Sequence, residues 1–131
     1  MALPIKDGVI TTPFGKKGTH WSGGMHTGVD FAVPVNTPVY AVADGKVANA
    51  NWGKAYGVQI VQDLGGSLYC IYAHLTKSNV QPGAAIKKGD LIGYTGNTGN
   101  STGAHLHFET RSGNIRWSLS KPVDPKDILN A

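Results

Sequence analysis

The chain has 131 residues, 18 of them glycine, and a formal net charge of +4. This length predicts one domain, residues 1–131, with a modest core of its own. A single cysteine excludes an internal disulfide, and the lack of an apolar run of about 18 residues excludes a membrane-spanning helix. The positive charge favours an anionic partner. The adjacent lysine pairs at 16–17 and 87–88 lie outside any basic and aromatic run, so nucleic acid is not predicted.

Short β-branched and aromatic runs between glycine-rich turns predict an all-β fold. The pairs Asp44-Gly45 and Gly65-Gly66 favour two tight hairpins, because glycine accepts the backbone angles of two-residue turns. In chain order, the predicted elements are a strand at 9–13, a glycine-rich loop at 15–25, a strand at 29–33, a hairpin at 38–48, a hairpin at 58–75, a turn at 80–83, a strand at 91–95, a loop at 96–103, a strand at 105–111 and a capped helical turn at 124–129.

Two short motifs hold three of the five histidines. They are His26-Thr27-Gly28-Val29-Asp30 and His105-Leu106-His107. Side chains two residues apart on a strand share a face, so each motif can direct its polar side chains to one side. Two imidazoles and one carboxylate can bind Zn²⁺ and leave a fourth position open, as in catalytic zinc sites. The spacing alone does not decide whether His105 or His107 is the second histidine ligand.

A zinc hydrolase also needs a group that moves protons, and the candidates are His74 and His105. His74 lies near the end of the returning strand of the second predicted hairpin. Strict alternation along that strand places Cys70 and Tyr72 on the same face as His74. Cys70 is therefore expected fairly near the site, as a small buried residue and not as a ligand.

Three segments resemble, in the same order, the motifs of the lysostaphin-type zinc endopeptidases, which cut peptide cross-links in peptidoglycan. The segments are Met25-His-Thr-Gly-Val-Asp-Phe31, Tyr72-Ala-His-Leu75 and Gly96-Asn-Thr-Gly-Asn-Ser-Thr-Gly-Ala-His-Leu-His-Phe-Glu109. The connecting segments at 38–47 and 80–90 match as well, so the resemblance extends from about residue 8 to residue 129. A lone His-x-His would be weak evidence, whereas three motifs in order are specific.

The resemblance implies a small antiparallel β structure, a hybrid barrel-sandwich, with an open active-site groove. It implies that His26, Asp30 and His107 bind Zn²⁺, and that His74 and His105 act in catalysis. The expected substrate is a peptide of bacterial peptidoglycan, attacked at the cell wall by a monomeric enzyme. Relatives cut glycine–glycine bridges or bonds after D-alanine, and the sequence does not decide between these bonds.

Three features near the motifs have open interpretations. Some close relatives have a tyrosine six residues before the first ligand, and this chain has His20 at that position. His20 either replaces the phenol as a hydrogen-bond donor or is a loop histidine. Glu109 either orients a ligand histidine or is a surface carboxylate at a strand end. Aromatic side chains could line the groove or pack in the core, and the candidates are Trp21, Trp52, Tyr56, Tyr94 and Trp117.

Other functions compete with a zinc endopeptidase. A non-catalytic relative that binds cell wall or activates another hydrolase would usually lack ligand or catalytic residues, and this chain has all five. A phosphocarrier would explain paired histidines but not the His-x-x-x-Asp motif. A biotinyl carrier needs a lysine at a hairpin tip, which neither predicted turn supplies.

The first residues contain no apolar stretch long enough for a secretory signal. A cell-wall enzyme with this start would need another route of release. It could be a phage lytic enzyme that leaves through a membrane lesion, or a catalytic domain cut from a longer protein.

Overall fold

The computed structural model describes residues 3–16, 26–99 and 103–129. These residues contain nine β-strands, which confirms the predicted all-β class. The strands are β1 (Val29–Phe31), β2 (Pro38–Tyr40), β3 (Gly45–Val47), β4 (Val58–Gly65), β5 (Leu68–Ser78), β6 (Ala85–Ile86), β7 (Leu91–Thr95), β8 (Leu106–Ser112) and β9 (Lys121–Val123). The short helices are 3₁₀ turns at Lys54–Tyr56 and Trp117–Leu119 and the α-helical turn α1 at Lys126–Leu129. In this described part, no helix has the length and apolar character needed to span a membrane.

The strands form one antiparallel sheet in the order β1-β8-β5-β4-β3-β6, with β7 on β5 and β2, and β9 on β8. The long strand β5 therefore lies at the centre of the sheet. Its register with β8 places Ala73 opposite His107, and the register of β1 with β8 places Asp30 opposite His107. The pairing of these three strands brings the two polar motifs together.

The core is divided between the two faces of the sheet. Tyr72 and Phe108 belong to the larger apolar cluster, whereas Ile71 and Ala73 pack with Trp52 in a smaller one. Side chains alternate along β8, so His107 and Glu109 lie on the face of the smaller cluster. Strand β8 therefore has one face in the larger core cluster and one face that carries its histidine.

The second predicted hairpin is confirmed with its turn one residue later. Gly66 and Ser67 connect β4 to β5 with φ angles of 61° and 62°, the left-handed angles of a tight hairpin turn. The predicted hairpin at 38–48 is wrong, because β2 pairs with β7, whereas β3 pairs with β4 and β6. Gly45 lies inside β3, where an added Cβ would collide with the carbonyl oxygen of Asp63.

The predicted strand at 9–13 is reduced to one isolated bridge between Thr12 and Asp30. The backbone of Asp30 donates to the carbonyl oxygen of Thr12 at 3.0 Å and accepts from Thr11 at 2.8 Å. These bonds fix the outer edge of β1 beside Asp30.

Candidate functional site

Three donor atoms from β1, β8 and the segment before β1 meet at one point. The Oδ1 atom of Asp30 lies 3.2 Å from Nε2 of His26 and 2.9 Å from Nδ1 of His107. The two ring nitrogens are 3.2 Å apart. Among the described residues, these three side chains form a group that could hold a metal ion. We call His26, Asp30 and His107 the donor triad.

Each histidine of the donor triad has an inner nitrogen, which faces the other two members, and an outer nitrogen, which faces away from them. The partner of the outer nitrogen shows where the ring proton lies. Nδ1 of His26 lies 3.1 Å from the carbonyl oxygen of Pro13, and Nε2 of His107 lies 2.9 Å from Oε1 of Glu109. Carbonyl and carboxylate oxygens only accept, so both outer nitrogens carry the ring proton. The inner nitrogens of the neutral rings then direct lone pairs at the carboxylate of Asp30. Three electron-rich atoms this close need a cation between them, either a proton or a metal ion.

The separations in the donor triad fit a tetrahedral metal. Ligands bound tetrahedrally to Zn²⁺ at about 2 Å lie roughly 3.3 Å apart. The three observed separations, 2.9 to 3.2 Å, are close to this value. Two imidazole nitrogens and one carboxylate oxygen are also ligands that Zn²⁺ accepts.

Without a metal, a proton takes the place of the cation. Burial alone would lower the pKa of His107, but hydrogen bonds to Asp30 and Glu109 outweigh it and raise the pKa to about 9. Burial would likewise raise the pKa of Asp30, yet hydrogen bonds to His107 and His26 hold it well below its usual value. His107 is therefore protonated at neutral pH and forms an ion pair with Asp30.

His74 and His105 form a second pair of rings beside the donor triad. Their ring centroids are 4.8 Å apart, and the centroid of His74 is 6.0 Å from that of His107. Nε2 of His105 lies 3.8 Å from Oδ1 of Asp30. The structure thus brings all five predicted site residues together on one face of the sheet. We call His74 and His105 the histidine pair.

Backbone carbonyls fix the ring protons of the histidine pair. Nδ1 of His74 donates to the oxygen of Thr98 at 2.6 Å, and Nδ1 of His105 donates to the oxygen of Gly103 at 2.7 Å. Burial lowers the pKa of His74 to about 4, although the bond to Thr98 opposes this. His74 is therefore neutral at neutral pH, with its lone pair on Nε2.

The position of His74 depends on a break in strand geometry. Cys70 and Tyr72 lie in the larger core cluster, and strict alternation would place His74 there too. Instead, His74 has a φ of +62°, in the left-handed region that non-glycine residues rarely adopt. This conformation lets its ring reach the face that carries His107.

The expectation that Cys70 lies near the site is wrong, because the alternation on which it rests ends before His74. Cys70 is fully buried in the larger cluster, and burial raises the pKa of its thiol to about 12. The expectation that it is a small buried residue is confirmed.

Glu109 is fully buried and accepts hydrogen bonds from four side chains. Its donors are Thr27 Oγ1 at 2.9 Å, Tyr56 OH at 2.9 and 3.0 Å, His107 Nε2 at 2.9 Å and Arg111 NH1 at 2.7 Å. Burial raises its pKa, but the bonds from His107 and Arg111 outweigh that and lower it. The interpretation of Glu109 as a surface carboxylate is therefore wrong. The same-face spacing from His107 was the available sequence signal, whereas nothing in the sequence indicated Tyr56 or Thr27 as its partners.

The aromatic residues differ in their relation to the site. The ring of Tyr56 lies 5.9 Å from that of His107, and the indole of Trp117 donates to the Tyr56 hydroxyl at 3.0 Å. Trp52 packs in the smaller core cluster. His20 and Trp21 lie outside the described residues.

Comparison with known proteins gives one consistent result. The sequence profile of peptidase family M23 matches residues 24–125. A glycyl-glycine endopeptidase of Staphylococcus capitis is 39% identical over 113 residues, covering 84% of this chain and 30% of that protein. The catalytic domain of the antimicrobial peptidase lysostaphin from Staphylococcus simulans has a TM-score of 0.84 at 35% identity, covering 96% of this chain and 95% of that one.

A zinc-containing peptidase from Vibrio cholerae is similar as well, with a TM-score of 0.76 and 35% identity. The match covers 98% of this chain and 38% of that protein. The chain spans less than a third of the length of the curated relatives it matches.

Proposed function

The chain belongs to peptidase family M23, a family of metallopeptidases, and we propose that it is a zinc-dependent endopeptidase acting on bacterial peptidoglycan. Its substrate is a peptide cross-link or a stem peptide of the wall. The observation that carries this proposal is the donor triad, in which two imidazole nitrogens and a carboxylate oxygen converge at nearly tetrahedral separations beside a pair of further histidines. Residues 1–131 act as the catalytic domain.

His26, Asp30 and His107 hold the zinc ion in this proposal. Zinc bound there would supply a Lewis acid for the scissile carbonyl and would lower the pKa of water to about 7. A set of three protein ligands, in place of four, is typical of catalytic zinc sites and distinguishes this donor set from a structural site. Asp30 supplies a charge that offsets part of the metal charge.

His74 moves a proton through Nε2. Its Nδ1 proton is committed to the carbonyl oxygen of Thr98, so Nε2 is the atom that would take a proton from the attacking water and pass it to the leaving amine. The low pKa of His74 keeps that atom available at neutral pH.

His105 is held in the same way, with its Nδ1 proton on the oxygen of Gly103. Its Nε2 lies within 4 Å of Asp30, at the edge of the donor triad. A ring here can hold a proton beside the reacting carbonyl group. The two members of the histidine pair therefore face the same reaction centre from two places in the chain, β5 and the residue just before β8.

The relatives and the charge support the proposed substrate class. A relative that is 39% identical is named as a glycyl-glycine endopeptidase, which supports a peptide bridge as substrate. The net charge of +4 suits an anionic wall polymer. A phage lytic enzyme would use this activity to open the wall of its host. The proposed site of action is the cell wall, both for a phage enzyme and for a catalytic domain of a longer protein.

The test is mass spectrometry of peptides released from purified peptidoglycan. A glycine-bridged wall and a directly cross-linked wall are digested in parallel, with and without chelator. A new amino terminus in one digest that disappears with chelator supports the proposal and identifies the bond. A folded, zinc-loaded protein that releases no new terminus from either wall would overturn it in favour of a binding module.

A further inference from the structure

Glu109 is a buried carboxylate whose presence needs an explanation. Burying a charged group costs free energy unless ion pairs and hydrogen bonds replace water. Arg111 supplies the opposite charge at 2.7 Å, and Thr27 and Tyr56 supply hydroxyl donors. A pair of apolar side chains would fill the same space without this cost. Apolar side chains in place of Glu109 and Arg111 could not accept the hydrogen bond from His107.

The ring of His107 is fixed at both of its nitrogens. Nε2 lies 2.9 Å from Glu109, and Nδ1 lies 2.9 Å from Asp30. Because a carboxylate only accepts, Glu109 requires a proton on Nε2. A ring flipped about its axis would present carbon atoms to both carboxylates and lose both bonds.

The ring is also enclosed at its edge. A Cβ added at Gly28 would lie 2.8 Å from Cε1 and 2.9 Å from Nε2 of His107, and 2.5 Å from the oxygen of Phe108. Only glycine leaves room for the imidazole at this place. The backbone of residue 28 thus closes one side of the ring that Glu109 and Asp30 hold at its ends.

We infer that Glu109 is a positioning residue that holds His107 in one tautomer and one orientation for the metal. Arg111, Tyr56 and Thr27 fix the carboxylate, and the carboxylate fixes the ring. A carboxylate behind a ligand imidazole also raises the basicity of the inner nitrogen, which strengthens its bond to a metal ion. The inference rests on the proposed function only for the identity of the ion.

The chain offers a matched pair of variants for testing this network. Tyr56→Phe removes a hydroxyl that donates to Glu109. Tyr72→Phe removes a buried hydroxyl that donates to Gln62 at 2.6 Å in the larger core cluster. Both variants delete one phenolic oxygen from a buried network, and only the first network contacts His107.

The measurement is the affinity for Zn²⁺, determined by competition with a chromogenic chelator at equilibrium. Glu109→Gln keeps the size of the side chain but places an amide NH₂ among donors. We expect it to weaken zinc binding by about 10- to 100-fold. Tyr56→Phe should weaken it by about fivefold, the equivalent of one hydrogen bond. Tyr72→Phe should leave the affinity unchanged, whatever it does to stability.

A second readout needs no metal. In the metal-free protein, the ¹⁵N–¹H spectrum of the histidine rings should show a proton on Nε2 of His107 that exchanges slowly with solvent. Glu109→Gln should make this exchange faster, whereas Tyr72→Phe should not.

Wild-type zinc affinity and unchanged proton exchange in Glu109→Gln would overturn the inference. If Glu109→Gln does not fold, equal zinc affinities for Tyr56→Phe and Tyr72→Phe would overturn it instead. A wild-type protein that binds no zinc contradicts the proposed function, and the exchange readout then decides the inference separately. Zinc binding that is insensitive to Glu109 contradicts only the inference.

Discussion

His107 and the histidine pair differ in what lies behind their rings. In the donor triad, His107 is held between the carboxylates of Asp30 and Glu109. In the histidine pair, His74 and His105 donate to backbone carbonyl oxygens. Both arrangements fix the tautomer of the ring. Only the first adds negative charge.

The consequence is a large difference in affinity for a proton. The carboxylates overcome burial and raise the pKa of His107 to about 9, whereas burial prevails at His74 and lowers its pKa to about 4. A ring between carboxylates holds a cation, and a buried ring on a carbonyl stays neutral and can accept a proton during a reaction. One face of a small sheet thus provides two kinds of imidazole within 6.0 Å of each other.

The largest expected effects are those of replacing histidines and Asp30 at the site, where ligand variants should lose zinc and variants of the histidine pair should lose only turnover. Replacing His26 or Asp30 with alanine should abolish stoichiometric zinc and with it all activity, because each variant removes one of the three proposed ligands. His74→Gln and His105→Gln should retain zinc while turnover falls by about 10²- to 10⁴-fold, the usual contribution of a general acid or base. Metal analysis after dialysis and the peptide-release assay measure the two properties on the same samples.

Two outcomes would change this division of roles. Loss of zinc from His105→Gln, with retention in His107→Gln, would exchange the assignments of His105 and His107. Full zinc content in Asp30→Ala would remove Asp30 from the ligand set. A circular dichroism spectrum identical to that of the wild type is the control for folding in each case.

Much of this site could be predicted from the sequence, because β8 obeys strict alternation. Leu106 and Phe108 lie in the core and His107 on the opposite face, as the period-two pattern requires. The second hairpin was also predictable, since its Gly-rich turn joins strands adjacent in sequence. Local signals suffice where the pairing itself is local.

The remaining features depend on long-range packing. The Asp44-Gly45 pair has the sequence of a hairpin turn, but Gly45 is needed where β3 approaches β4 closely. His74 departs from alternation because its own backbone is left-handed, and a histidine at this position gives no sequence signal for that conformation. Two of the four donors to Glu109, Thr27 and Tyr56, are far from it in sequence and contribute nothing to a local pattern.

The second prediction concerns the pH dependence of zinc affinity, which tests the high proton affinity of His107. Zinc must displace the proton of His107, whose pKa is about 9, so the apparent zinc affinity should rise with pH up to that value. One displaced proton corresponds to about a tenfold gain per pH unit, or roughly a hundredfold between pH 7 and pH 9. Asp30→Asn removes a carboxylate that raises this pKa, so its weaker binding should depend less on pH. Chelator competition at several pH values measures both, and an affinity independent of pH in the wild type would contradict a protonated His107.

The smallest expected effect concerns the stability of the metal-free protein in mild acid. The folded-state pKa of His74, about 4, lies below the ordinary value of 6.5, so the unfolded chain binds a proton between these values when the folded protein does not. The free energy of unfolding should therefore fall as pH drops from 6.5 towards 4.5, by about 1 kcal/mol after allowance for solvent near the ring. His107 adds only a small slope there, because its raised pKa affects stability mainly as pH rises from 6.5 through 9, and this small slope is common to the two proteins compared below. Urea unfolding of the wild type and His74→Gln with chelator present isolates the difference, and equal slopes for the two proteins would show that His74 is as easily protonated folded as unfolded.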